Sequence, residues 1–292
     1  MTDNGLTVAV VGLGAMGGAA ARRLLATGHD VVAWNRSPER AEPLLATGAA
    51  AAESPADAAR RAQVVLTFLA HPDALREVTG GPDGLAAGVG DDTTVIEMST
   101  VGPAAIASLV DALPEGALVL DAPVLGSSSE TEDGKLKLFA GGPDEIVRRW
   151  TPLLETFGSV LHVGPLGAGA AAKLVANSTL FSTVGMLGEA LALADGLGLS
   201  RDAAFAVLSG TPAGAQSERR RPAIQAGEYP RRFSLRLGVK DATLVTDAAR
   251  QAGVDLRLAD AARSWLEDAD TAGFSELDYS AVIAFILGER PG

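Results

Sequence analysis

The chain has 292 residues, 24 Lys and Arg against 36 Asp and Glu, a formal charge of −12, 47% hydrophobic residues and a mean hydropathy of +0.21. That apolar fraction excludes disorder for most of the chain, the length suits about two domains at roughly 100–200 residues each, and the acid surplus argues against a general affinity for nucleic acid or anionic membrane. With no cysteine and three scattered histidines (His29, His71, His162), disulfides, thiolate catalysis and Cys-ligated zinc are excluded and no metal site is expected.

In chain order, the opening MTDNGLTVAVVG has no basic run before an apolar stretch too short for a signal or a membrane span, which predicts a cytoplasmic protein. Residues 7–163 alternate short β-branched runs with alanine-rich helical segments. Strands are predicted at 7–11, 31–34, 64–69, 93–97, 118–121, 136–139 and 160–163, and helices at 15–26, 38–45, 55–62 and 103–113. Ser37 before Pro38 and Ser54 before Pro55 supply cap and first-turn signals. This pattern predicts an α/β, Rossmann-type doubly wound domain over 1–163, with the polar stretch 126–134 (GSSSETEDG) as a working loop.

From about residue 164 the alternation gives way to an all-α domain, 164–292, with helices at 167–196, 201–209, 216–226, 240–251, 256–272 and 277–287. The first is long against the usual three or four turns and is predicted to be a spine joining the two domains. Lys173, Asn177, Glu189 and Asp195 interrupt its apolar run, so it reads as a buried helix and not a membrane span. Its small residues offer a subunit surface, and a homodimer or higher even oligomer is expected.

Gly12-Leu13-Gly14-Ala15-Met16-Gly17 fits G-x-G-x-x-G directly after a predicted strand and directly before a predicted helix. In that setting the first glycine permits a tight turn, the second admits a pyrophosphate to the backbone, and the third lets helix and strand pack closely. The helix N-terminus then faces the phosphates. An NAD-selective site would place a carboxylate at the end of the next strand to meet the ribose 2′-hydroxyl. Here that stretch reads Trp34-Asn35-Arg36-Ser37, in which Arg36, with Asn35 and Ser37 as further donors, predicts a 2′-phosphate and so NADP(H).

Lys173 lies within GAGAAAKLVANSTL, where a lysine on a largely apolar helix is costly unless a partner or a function keeps it. Asn177 is four residues on and shares its face. A lysine beside an amide can hold a substrate oxygen and exchange its proton; a lysine snorkelling to solvent is the competing reading of this stretch.

VVGLGAMGGAAA (10–21), NRS (35–37), ST (99–100), DAPVLG (121–126), GAGAAAKLVAN (167–177) and VKDATL (239–244) occur in one order over nearly the whole chain. In this the sequence closely resembles the β-hydroxyacid dehydrogenases, a family that includes 3-hydroxyisobutyrate dehydrogenase and the glyoxylate and succinic semialdehyde reductases. The resemblance implies a catalytic role for Lys173 and a substrate-side role for Asn177. It implies that Thr100 meets the nicotinamide ribose region, that Leu69 and Ala70 lie over the adenosine side, that Lys240 reaches the cofactor with Asp241 beside it, and that Phe233 stands near the family's closing cleft. One departure stands out. Where the family reads D-A-P-V-S-G-G, with serine and glycines cradling a substrate carboxylate, this chain has Leu125, Gly126 and Ser127. Backbone N–H groups of 125–127 could still bind an anion, with Ser127 or Ser128 supplying a hydroxyl, or Leu125 packs on an apolar group.

The leading expectation is an NADP-dependent oxidoreductase that moves a hydride between nicotinamide and a small β-hydroxy acid or aldehyde, with no nucleic-acid or membrane partner. An imine reductase-like enzyme and a non-catalytic NADP-binding module are the alternatives; Lys173 counts against both, and Leu125 keeps the first open. The arginines at 219–221, 231 and 232 read as a solvated or intersubunit face.

Overall fold

A computed structural model describes residues 5–291; residues 1–4, part of the opening stretch examined for a targeting signal, lie outside them. The chain divides into two compact units, Met1–Lys173 and Leu174–Gly292.

In the first unit the strands are β1 Thr7–Val11, β2 Asp30–Trp34, β3 Ala50–Ala51, β4 Val64–Thr67, β5 Thr94–Glu97, β6 Leu118–Asp121, β7 Val124–Leu125, β8 Leu136–Gly141 and β9 Gly158–Gly164. The helices are α1 Ala15–Ala26, α2 Glu42–Leu45, α3 Pro55–Arg60, α4 Pro72–Thr79, α5 Pro103–Ala112, α6 Ser128–Glu132 and α7 Asp144–Leu154. They form a nine-stranded sheet in the order β3-β2-β1-β4-β5-β6-β8-β7, with β9 added to β8. Pairing is parallel from β3 to β6, turns antiparallel where β8 meets β6 and β7, and is parallel again between β8 and β9.

Both faces of the sheet are covered, as a parallel sheet requires. Alternation along each strand sends Val8, Val10, Leu66, Ile96 and Leu120 into one core with Leu24 of α1 and Trp150 of α7. It sends Ala9, Val11, Val65, Val95 and Val119 into the other, with Leu75 of α4 and Ile106 and Leu109 of α5. The chain runs outward from β1 in both directions, so the strand order reverses between β1 and β4. The carboxyl end of such a reversal is where open α/β sheets bind ligands.

The second unit is helical. The long helix α8, Ala168–Gly196, begins in the first unit and runs into it, followed by α9 Arg201–Ser209, α10 Gly214–Ala226, α11 Leu235–Gln251, α12 Arg257–Ala269 and α13 Val282–Ile286. Its core gathers Phe181, Val184, Leu187 and Leu191 of α8 with Phe205, Leu266, Phe274 and Ile283. Tyr279 stands edge-on to both Phe181 and Phe233, with ring centroids 5.9 and 5.7 Å away. Among the described residues no helix is long and apolar enough to cross a membrane.

Several local expectations are corrected. The predicted helix 38–45 is a 3-10 turn, Pro38–Arg40, followed by α2, and the Ser37 side chain makes no cap bond; Pro43 lacks the N–H that a continuous helix would use. The predicted loop 126–134 contains α6, where the Glu130 carboxylate turns back to accept the Ser127 N–H at 2.7 Å. The short strands β3 and β7 and the helices α4 and α7 are additional, and α11 starts five residues before the predicted 240.

Candidate functional site

The turn between β1 and α1 is built as the fingerprint requires. Gly12 has φ +96°, its N–H donates to the Trp34 carbonyl at 2.9 Å, and a Cβ there would stand 2.3 Å from the Phe68 carbonyl oxygen. Only glycine lets the loop after β1 pass this close to the loop after β4. A Cβ on Gly17 would lie 1.8 Å from the Gly12 oxygen, so α1 packs against the turn through bare backbone. Gly14 differs: a Cβ there would meet nothing within 4 Å. Gly14 and Ala15 are exposed at the start of α1, Met16 is half-buried, no side chain caps the helix, and its first turn carries no acid. Open approach, bare N–H groups and the positive end of the helix dipole fit the pyrophosphate of a dinucleotide.

Asn35, at the end of β2, is committed to the turn itself. Its Oδ1 accepts the Leu13 N–H at 2.9 Å and its Nδ2 donates to the Ser37 carbonyl at 3.0 Å. It therefore links the end of β2 to the glycine-rich loop. Ser37 is half-buried, whereas the Arg36 side chain is 84% exposed, 3.7 Å from the carboxylate of Glu77, itself exposed. An exposed pair of that kind is worth little and leaves the guanidinium able to exchange partners.

Leu69 and Ala70 follow β4, half-buried and exposed respectively, and Thr100 follows β5, half-buried. Beneath them lies Glu97, wholly buried, whose carboxyl is pushed up from 4.5 to about 7 by burial, against the pull of its hydrogen bonds to Ser99 and Thr67.

At the end of β6, Asp121 receives the start of α8: Oδ1 accepts the Gly167 N–H at 2.8 Å and Oδ2 the Ala170 N–H at 2.6 Å. Burial holds this carboxyl above its usual value, against the pull of its backbone donors. Lys173 stands one turn beyond this capped end, 9% exposed. Asn177, a further turn along α8, is buried, and its Nδ2 donates to Asp241 Oδ2 of α11 at 2.9 Å; Asp241 also pairs with Lys240. Phe233 donates its N–H to Asp278 at 3.2 Å and its ring meets that of Tyr279 edge-to-face. Leu125 ends β7 half-buried, Gly126 is exposed, and Ser127, with its N–H held by Glu130, has its hydroxyl 2.9 Å from that of Ser129.

Sequence reasoning read Asp121 and Asp241 only as parts of motifs. The partners of Asp121 lie 46 and 49 residues away, and Asp241, besides its neighbour Lys240, holds Asn177 from 64 residues away, so no local spacing signals these bonds. Glu97, flanked by apolar residues in TVIEMST, carried the one available signal: an acid inside a strand buried on both faces.

Residues 7–164 match the family model of the NAD binding domain of 6-phosphogluconate dehydrogenase. Residues 167–286 match the model described as NAD-binding of NADP-dependent 3-hydroxyisobutyrate dehydrogenase. The chain belongs to the β-hydroxyacid dehydrogenase family. It is 34% identical over 280 residues to 3-sulfolactaldehyde reductase of Escherichia coli K12, covering 94% of each chain. Among solved structures, 3-hydroxyisobutyrate dehydrogenase of Mycobacterium tuberculosis with L-serine matches with a TM-score of 0.87 at 30% identity, over 97% of this chain and 99% of that one. Psf3 in complex with NADP+ and 2-OPP matches with a TM-score of 0.84 at 25% identity, over 96% and 99%. As a member of the family the protein is a nicotinamide-dependent oxidoreductase with a Rossmann-type first domain and an all-helical second one.

Proposed function

We propose that this β-hydroxyacid dehydrogenase family member uses NADP(H) to interconvert a small β-hydroxy acid or related alcohol with its aldehyde or ketone, with Lys173 as the acid/base. The observation that carries the reading is the buried Lys173 and Asn177 pair on one face of α8, one turn beyond the Asp121 cap. The names of the relatives, a sulfolactaldehyde reductase and a 3-hydroxyisobutyrate dehydrogenase, support a short substrate with an acidic group.

The first domain, 1–163, is the proposed dinucleotide domain and 164–292 the substrate and subunit domain. The α1 N-terminus, with Gly12, Leu13, Gly14, Ala15, Met16 and Gly17, would hold the pyrophosphate, and Arg36, with Ser37, the 2′-phosphate. Leu69, Ala70, Thr100 and Lys240 would contact the remainder. When bound, the nicotinamide supplies or takes up the hydride. Lys173 Nζ binds the substrate oxygen, gives it a proton as the carbonyl is reduced and takes it back in the reverse direction. Asn177 orients that oxygen, its amide turned by the bond to Asp241. Leu125, Gly126, Ser127 and Phe233 would shape the rest of the substrate site.

Lys173→Ala is expected to lower kcat by about 10²–10⁴-fold, the usual worth of a positioned acid/base, with dinucleotide affinity nearly unchanged. Near-normal turnover refutes the role. Comparable KM values for NADH and NADPH at low salt remove the NADP preference. The Ser127 N–H is taken by a carboxylate, which favours a weaker anion site than a serine-and-glycine cradle and keeps the imine reductase-like reading in view. A panel of cyclic imines against short hydroxy acids and semialdehydes, followed by NADPH absorbance, separates the two. Exposed Val175, Met186 and Leu193 on α8 support a homodimer or an even multiple; a monomer in sedimentation equilibrium contradicts it.

A further inference from the structure

Glu97 takes no part in the chemistry above, yet its carboxyl joins the loops that follow β4 and β5. Oε1 accepts the Ser99 N–H at 2.6 Å, and Oε2 accepts the hydroxyl of Thr67, its register partner at the end of β4. Ser99 carries the link across: its Oγ accepts the Leu69 N–H at 2.7 Å and donates to the Thr67 carbonyl at 3.4 Å. The strands do not need this network, since their backbones already pair from Val64 and Thr94 to Thr67 and Glu97. A well-packed apolar side chain would fill the same space without the desolvation cost of a carboxyl. What the carboxyl adds is a fixed spacing between the segment bearing Leu69 and Ala70 and the segment bearing Ser99 and Thr100.

We propose that Glu97 is a positioning residue for the dinucleotide site, locking the loops after β4 and β5 together so that Leu69, Ala70 and Thr100 meet the bound cofactor in register. This rests on the reading that these loops hold a nicotinamide dinucleotide. The network tolerates either protonation state. A protonated Oε2 donates to Thr67 Oγ1, whose own hydrogen then turns to the Ile96 carbonyl 3.5 Å away, while Oε1 keeps the Ser99 N–H. Glutamine can make the same set of bonds.

The test is residue-resolved hydrogen–deuterium exchange on the dinucleotide-free protein, together with NADPH and NADH titrations, for wild type, Glu97→Ala, Glu97→Gln and Ser99→Ala. Exchange at the Leu69 amide should rise about tenfold or more in Glu97→Ala and Ser99→Ala while Leu66 and Ile96 stay protected, and the Kd of the preferred dinucleotide should rise on the order of tenfold, the scale of a lost hydrogen bond to a charged group. Glu97→Gln, which keeps both the volume and the bonds, should restore both. Ser99→Ala, which removes the linking hydroxyl with little loss of volume, separates lost bonding from lost packing. If Glu97→Ala does not fold, Ser99→Ala carries the test, because it cuts the link and leaves the carboxyl in place. Unchanged exchange at Leu69, or loosened loops with unchanged affinity, overturns the proposal alone. A wild type that binds neither dinucleotide overturns the cofactor reading and this proposal with it.

Discussion

In the sheet unit, Glu97 and Asp121 end adjacent strands and receive backbone N–H groups: Ser99 on one, Gly167 and Ala170 on the other. In the helical unit, Asp241 lies in the middle of α11 and receives side chains, the Asn177 amide and the Lys240 ammonium. The difference follows from the elements. Strand ends and helix starts leave main-chain donors to be satisfied, whereas a residue inside a helix sees only side chains because the helix has used its own amides. The first arrangement therefore fixes where the chain goes, and the second fixes how a side chain is turned. Substitution should separate them: loss of a carboxylate that holds backbone should appear in stability, and loss of one that holds side chains should appear in turnover.

The largest effect is expected from Asp121→Ala. It strips two backbone donors at the start of α8 of a charged acceptor in a buried setting, and breaking such a buried set costs about 3–5 kcal/mol. Chemical denaturation should show this loss, with Asp121→Asn intermediate because its Nδ2 would face a donor. A change below about 1 kcal/mol, the size of an ordinary exposed cap, would mean that solvent satisfies these amides and the contrast between the units fails.

Next is Glu97→Gln, whose effect depends on pH. The folded carboxyl is raised from 4.5 to about 7, so between those values the folded state keeps a proton that the unfolded state has released. Stability from this group therefore falls as pH rises through that window and stays low above it. A rise of this size is worth at most about 3.5 kcal/mol at ~1.4 kcal/mol per pKa unit, so the glutamine variant, which never ionises, should gain on wild type up to that amount at pH 8 and match it near pH 4.5. Parallel stability curves for the two proteins across this range would show that Glu97 does not titrate there.

The same distinction explains what the sequence reveals. Strands buried on both faces read as apolar runs, so β1, β4, β5 and β6 were legible, and the glycine-rich turn was legible because each glycine answers a local steric demand. Helix α4 was missed although His71 caps it through the Ala74 N–H at 3.0 Å and Pro72 opens it, since histidine is an uncommon cap. Helix α7 carries Pro152 near its end, a residue that argues against a helix unless it falls in the last turn. Helix α11 begins at Leu235 because Ser234 caps it, and Gly238 within that early turn, which weakens the local signal, lies where a Cβ would come 3.2 Å from the Tyr279 Cβ. That Lys173 and Asn177 share one helix face is legible from their four-residue spacing. The bond from Asn177 to Asp241 is not, because the tertiary fold brings together residues 64 apart.

Asp241→Asn should have the smallest effect on stability and a clear one on turnover. Asparagine keeps the shape and one acceptor for the Asn177 amide, so the folding cost should stay near 1 kcal/mol, the worth of a typical hydrogen bond. Removing the charge releases Lys240 from its ion pair and lets the Asn177 amide turn over. A substrate oxygen that depends on that amide for orientation then loses part of its alignment with Lys173, and misalignment of this kind costs on the order of 10²-fold in rate. The measurement is kcat and both KM values beside a denaturation curve. A fall in kcat at nearly constant stability places Asp241 with the side-chain-orienting group, and a change in dinucleotide KM reports the loss of its ion pair with Lys240. Equal losses in stability and turnover would return it to the class of Asp121, as a carboxylate whose removal is felt through the backbone.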